Sequence, residues 1–90
     1  MKRIHLIISG LVQGVGYRAW VIEQANRLGI SGWVKNLPDG SVEVAAESGE
    51  KTLKQFITVC RKGPPEARVD QTDVQWEQIT GGYDGFEVIY

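Results

Sequence analysis

The chain has one cysteine, one histidine, no acidic residue before Glu23 and no excess of charge of either sign. A lone Cys60 cannot close an internal disulfide, which suits a reducing compartment and makes a cytoplasmic location the expectation. Cys60 is no phosphatase nucleophile either. The C-x5-R pattern needs an arginine where Glu66 stands, and Cys60 falls in an apolar helical stripe that reads as core. With His5 as the only histidine, a phosphohistidine relay with a second histidine has no candidates, and a metal cluster is equally unsupported. No metal and no cofactor is expected, and His5 is assigned to the sheet surface.

Ten basic and 11 acidic residues mixed along the chain leave a net charge of −1, so no polyanion-binding face is indicated and nucleic acid is not an expected partner. An RNA-binding sheet would also need exposed aromatics in the RNP pattern, which are missing. The basic start of MKRIHLIISG leads into an apolar run of only a few residues, broken by His5 and alternating as a strand does. Neither a signal peptide nor a membrane span is expected.

Ninety residues with 42% apolar content predict one domain, residues 1–90, with a thin core; a monomer is the expected state. Ile4, Leu6 and Ile8 alternate with His5, Ile7 and Ser9, the period of a strand. From Tyr17 the period changes. Tyr17, Val21, Ala25 and Leu28 form one helical stripe that stops at Gly29, predicting a helix over about 17–28. Residues 30–36 are β-rich, Leu37-Pro38-Asp39-Gly40 is turn chemistry, and Val42, Val44 and Ala46 alternate with Glu43, Ala45 and Glu47, which makes a hairpin. Ser48 reads as the N-cap of a second helix over about 49–62, with Leu53, Phe56, Ile57 and Cys60 on one face before Gly63-Pro64-Pro65. Two further strands follow, residues 69–77 and a short one carrying Phe86, Val88 and Tyr90, separated by a flexible segment with Gly81-Gly82 and Gly85. The order is an α+β, split β-α-β sandwich: β-α-β-β-α-β plus a short C-terminal strand, in a mostly antiparallel sheet with both helices on one face.

The stretch GLVQGVGYR, residues 10–18, carries the strongest functional signal. An apolar strand runs into a glycine-rich bend that delivers an arginine in the first turn of a helix. Gly14 and Gly16 free the backbone, so the amides of Gln13, Gly14, Val15, Gly16, Tyr17 and Arg18 can converge on one anion. The helix adds its positive dipole end, and Arg18 a planar fork matched to two phosphoryl oxygens. Gly14-x-Gly16-x-x-Ala19 also mimics a dinucleotide fingerprint, with Asp39 about 20 residues on. That reading fails because Asp39 sits in the hairpin turn and 90 residues leave no room for a doubly wound sheet.

Topology brings a second residue to the same place. The first two strands should run parallel with the third between them, so their C-terminal ends share an edge about 10 Å apart, twice the strand spacing. Asn36 ends the second strand there and would face the anion loop, although an asparagine before a turn also serves simply to start it. Trp20, on the helix face shared with Gln24 and Arg27, is expected to pack against a neighbouring strand.

With GLVQGVGYR at 10–18 and GWVKNLPDG at 32–40 both in place, the chain resembles the acylphosphatases over essentially its whole length. Gly63-Pro64-Pro65, Arg68-Val69-Asp70 and Phe86 also match the family pattern, while Tyr17 departs from a more usual phenylalanine. The resemblance implies a ferredoxin-like fold and a metal-free hydrolase of small acyl phosphates, with Arg18 binding phosphate and Asn36 orienting the attacking water. It also implies that a substrate phosphate oxygen takes the water's proton. Inorganic phosphate and sulfate are expected as competing anions. The chemistry needs few groups, because the leaving carboxylate has a pKa of about 4 and departs without a general acid. The rival reading is a regulatory module that binds an anion such as carbamoyl phosphate without turnover. Asn36 speaks against it, since a pure binding site has no need of that side chain.

Overall fold

The computed structural model describes residues 1–79 and 82–90, so Gly81 of the expected flexible segment lies outside the described residues. The elements follow the order β1 (Lys2–Leu11), α1 (Tyr17–Leu28), β2 (Ser31–Asn36), β3 (Val42–Ser48), α2 (Glu50–Lys62), β4 (Arg68–Gln78) and β5 (Phe86–Ile89). They build one five-stranded sheet in the order β4-β1-β3-β2-β5. Every neighbouring pair is antiparallel except β2 and β5, which run parallel.

The alternation in β1 does what its period requires. Ile4, Leu6 and Ile8 are sealed from solvent in one cluster with Val21 and Ala25 of α1 and Leu53, Phe56, Ile57 and Cys60 of α2. The other face keeps the polar alternates. There His5 Nε2 lies 2.7 Å from Glu43 Oε2, and its ring meets Trp33 edge-on at 5.9 Å, the surface role its position suggested. β1 continues past the alternating residues through an irregularity between Ser9 and Gly10. Only glycine fits there: at φ 132° a Cβ on Gly10 would lie 2.1 Å from the Arg68 carbonyl oxygen.

Two local expectations are corrected. Ser48 does not cap α2. It still pairs with Lys2 in the β1–β3 ladder, so Gly49 takes the cap position without a side-chain hydrogen bond. Charge supports this helix start instead, as Glu50 in the first turn pairs with Lys2 at 2.8 Å and Lys54 at 3.3 Å. Trp20 packs against a helix rather than a strand, its indole N–H donating to the Val59 carbonyl of α2 at 3.1 Å.

The segment leading into β5 is tied down on the far edge of the sheet. Tyr83 N–H donates to the buried Glu47 carboxylate at 2.9 Å, Arg3 Nε donates to the same carboxylate at 2.8 Å, and Gly32 N–H donates to the Gly85 carbonyl at 2.8 Å. β5 is thereby set beside β2, with Val88 opposite Val34.

Candidate active site

Because β1 and β2 are both antiparallel to β3, they run parallel to each other, and their C-terminal ends open on one edge. The loop after β1 turns there through two glycines in left-handed geometry, Gly14 at φ 76° and Gly16 at φ 79°. Neither position has an atom near where a Cβ would sit, so it is backbone conformation and not crowding that calls for glycine. Gly16 is the N-cap of α1, and its carbonyl accepts the first helical bond from Trp20 N–H at 3.0 Å. The amides of the first turn have no partners within the helix, and no acidic side chain lies there to take them.

The site is a cleft of about 250 Å³ whose polar lining comes from Gln13, Gly16, Tyr17, Arg18 and Asn36. Of the six residues expected to present amides, Gly14 and Val15 belong to the loop but do not line the cleft. The loop also has a use for a side chain that the sequence did not reveal. Gln13 Nε2 donates to the carbonyls of Leu37 and Ser41, both at 2.8 Å. That clamps the loop to the turn following Asn36, which is itself closed by Leu37 N–H to Ser41 O at 2.9 Å. Asp39 accepts from the Ser41 hydroxyl at 2.5 Å and from Ser41 N–H at 3.0 Å, and these bonds hold its carboxyl below the usual range. Its place is in the turn, as expected.

Asn36 and Val34 are two apart on β2 and share a face. Val34 is completely buried in the cluster beneath the helices, so the Asn36 carboxamide looks to the α1 side of the sheet. Its Oδ1 is buried and has no hydrogen-bond partner. Leaving such an acceptor unmatched costs about 1–3 kcal/mol, which is tolerable when a donor arrives with the ligand. Arg18 makes no ion pair among the described residues. Its guanidinium lies 5.3 Å from the ring centroid of Tyr90, a residue beyond the end of β5 that also lines the cleft.

Beneath the loop, Tyr17 is buried and its hydroxyl donates to the Cys60 carbonyl at 2.6 Å, joining the first turn of α1 to the last turn of α2. Burial pushes the pKa of this hydroxyl above its usual value, with Cys60 adding to the effect, so it stays protonated. Burial also pushes the Cys60 thiol up to about 12, so it stays neutral and inert at ordinary pH, as its core position suggested. Among the described residues no group of three or more His, Cys, Asp or Glu side chains could hold a metal ion, and no helix is long and apolar enough to cross a membrane.

Fold and cleft together define a ferredoxin-like α+β domain in which Arg18, without an ion pair among the described residues, and Asn36, with an unmatched carboxamide oxygen, line one cleft at the ends of two parallel strands. The acylphosphatase family model matches residues 4–88, and the chain belongs to that family. It is 46% identical over 89 residues to an acylphosphatase of Methylococcus capsulatus, covering 99% of this chain and 97% of that one. Among solved structures, the acylphosphatase from Bacillus subtilis superimposes with a TM-score of 0.97 at 36% identity, each chain covered completely. One from Coxiella burnetii gives 0.89 at 36% identity, covering 97% of this chain and 90% of that one. The activity is therefore that of a hydrolase of small acyl phosphates.

Proposed function

We propose that the chain splits the carboxyl-phosphate bond by direct attack of water on phosphorus, without a metal, with Arg18 and Asn36 as the catalytic side chains. Arg18 and the backbone amides of residues 13–18 hold the phosphoryl oxygens, on which charge gathers in the transition state. The observation that carries this reading is the orphaned Asn36 Oδ1. The Asn36 carboxamide, which lines the cleft, hydrogen-bonds the attacking water and fixes its oxygen in line with the scissile bond. The water oxygen bonds to phosphorus, and the P–O bond to the acyl group breaks with its electron pair leaving on the carboxylate. The water's proton passes to a phosphate oxygen, so the products are carboxylate and inorganic phosphate. No side chain has to donate or remove a proton, which fits a cleft lined by no Asp, Glu, His or Lys side chain.

The same amides and fork bind free phosphate and sulfate, which compete with substrate. The enzyme acts as a monomeric single domain in the cytoplasm, and its one free, buried thiol suits that compartment. The deciding experiment is turnover of acetyl or benzoyl phosphate in excess EDTA with phosphate as inhibitor. Hydrolysis with competitive inhibition is expected; tight phosphate binding without turnover would leave a regulatory module instead.

A further inference from the structure

A helix start that offers its free amides to an anion cannot also give them to a capping side chain. α1 has no such cap: Gly16 makes no side-chain bond there, and the first turn holds no acid. The turn that carries Arg18 must therefore be held from another side. Tyr17 and Trp20, three apart and neighbours on the surface of α1, both donate to carbonyls in the last turn of α2. The Tyr17 hydroxyl reaches Cys60 at 2.6 Å and the Trp20 indole reaches Val59 at 3.1 Å. Arg18 and Ile22, four apart, line the cleft from an adjacent side.

The end of α2 is suited to receive these donors, because a helix leaves its final carbonyls without partners. Gly63 N–H still reaches back to Val59 at 3.1 Å. The next N–H, which would bond the Cys60 carbonyl, belongs to Pro64 and does not exist. The Tyr17 hydroxyl fills that gap, and the phenylalanine more usual in the family could not. The bond is buried, so water does not compete for it. Gly63 also packs on the ring, since a Cβ there would stand 3.3 Å from Tyr17 Cε1.

We propose that the Tyr17 hydroxyl and the Trp20 indole are positioning groups for the hydrolysis, locking the opening turn of α1 onto the end of α2 so that Arg18 and the amides beside it stay aimed at the phosphoryl oxygens. The proposal rests on the hydrolytic reading above and adds what preorganises the anion-binding half of the site. Fixed donors count most where charge develops, so a turn free to tilt loses more in the transition state than in binding free phosphate.

Tyr17→Phe and Trp20→Phe each keep an aromatic ring and remove one donor. A misplacement of about 1 Å arising far from the chemistry can cost ~100-fold, so each variant should lower kcat per folded molecule at least about threefold, and by more than the inhibition constant of phosphate rises. One tether backs up the other, so the double variant should lose more than the product of the single losses. Cys60→Ala is the control for loosening of the core beneath: it keeps the carbonyl and should lower the unfolding midpoint with kcat per folded molecule unchanged. A single variant that loses less than stated strikes its group from the role. Losses that simply multiply in the double variant, or an equal kcat loss in Cys60→Ala, overturn the lock and leave two structural bonds. If the wild type hydrolyses no acyl phosphate, the hydrolytic reading fails by itself and phosphate titration decides: the double variant should bind phosphate at least about threefold more weakly, and any smaller change overturns the lock.

Discussion

The Gln13 side-chain amide donates to the Leu37 carbonyl at 2.8 Å, binding the loop that carries the anion-facing amides to the residue immediately after Asn36. A second bond of the same length, to Ser41, closes the clamp. The two halves of the site come from separate strand ends spaced by β3, and this one amide ties them together beyond the sheet.

Replacing Gln13 by Met keeps length and bulk but removes both donors. Each such bond contributes about 1 kcal/mol to stability, so a loss of about 1–2 kcal/mol in chemical denaturation is expected. Because loop and turn can then drift apart, kcat should fall by more than the inhibition constant of phosphate rises. A stability loss with kinetics untouched would reduce Gln13 to a turn fastener.

Arg18 and Asn36 should fail differently. Arg18→Lys keeps the charge and loses the bidentate fork, and removal of a preorganised transition-state donor typically costs ~3 kcal/mol, so kcat/KM should drop at least about a hundredfold with weaker phosphate binding. Asn36→Ala should bind phosphate almost normally while kcat collapses. It should also fold at least as stably as the wild type, since it deletes a buried acceptor that has no partner. Retention of more than about a third of wild-type kcat, a loss under ~0.7 kcal/mol, would return Asn36 to a turn-starting role.

Exhaustive chelation should leave turnover unchanged, and so, per folded molecule, should Cys60→Ser. The thiol is sealed in the core, and the Tyr17 hydroxyl donates to the Cys60 backbone carbonyl, which the substitution keeps. Native protein should resist iodoacetamide for the same reason. Loss of most activity with EDTA sinks the metal-free mechanism.

Alkaline pH should destabilise the fold. Burial raises the Cys60 thiol from 9.0 to about 12 and raises the Tyr17 hydroxyl from its usual 10.0. The unfolded chain sheds these protons first and so binds fewer than the folded one above pH 9. By linkage, stability then falls as pH rises. The contribution of Cys60 is complete below pH 9.0 and is lost on approach to about 12. Denaturation midpoints measured from pH 7 to 11 should decline from about 9 upward, with a shallower decline in Cys60→Ala; identical slopes would remove the thiol from this account.

What the sequence made legible was mostly local. The φ freedom of Gly14 and Gly16 is a property of glycine itself, and the change of period at Tyr17 marks the helix whose first turn carries Arg18, so both could be read in one pass along the chain. Asn36 needed one further step, the rule that β1 and β2 flank β3 in parallel, and that rule held. Ser48 misled because it is still paired with Lys2 in the β1–β3 ladder, so the chain turns into the helix one residue later, at Gly49. Trp20 misled because helical spacing gives the direction of a side chain but not which neighbour stands there.

The amino-acid order by itself determined the element types, the glycine-rich bend after β1 and the places of Arg18 in the first turn of α1 and Asn36 at the end of β2, because dihedral preference, periodicity and turn chemistry act over a few residues. Only the tertiary structure decided that Asn36 Oδ1 is buried without a partner, that Gln13 reaches across to Leu37 and Ser41, and that β5 carries Val88 and Tyr90 to the cleft beside Arg18. Each of these depends on which distant groups share a small volume. Burial and hydrogen-bond partnership are set by the packed sheet as a whole, over separations of up to 72 positions between Arg18 and Tyr90, and no local pattern encodes them.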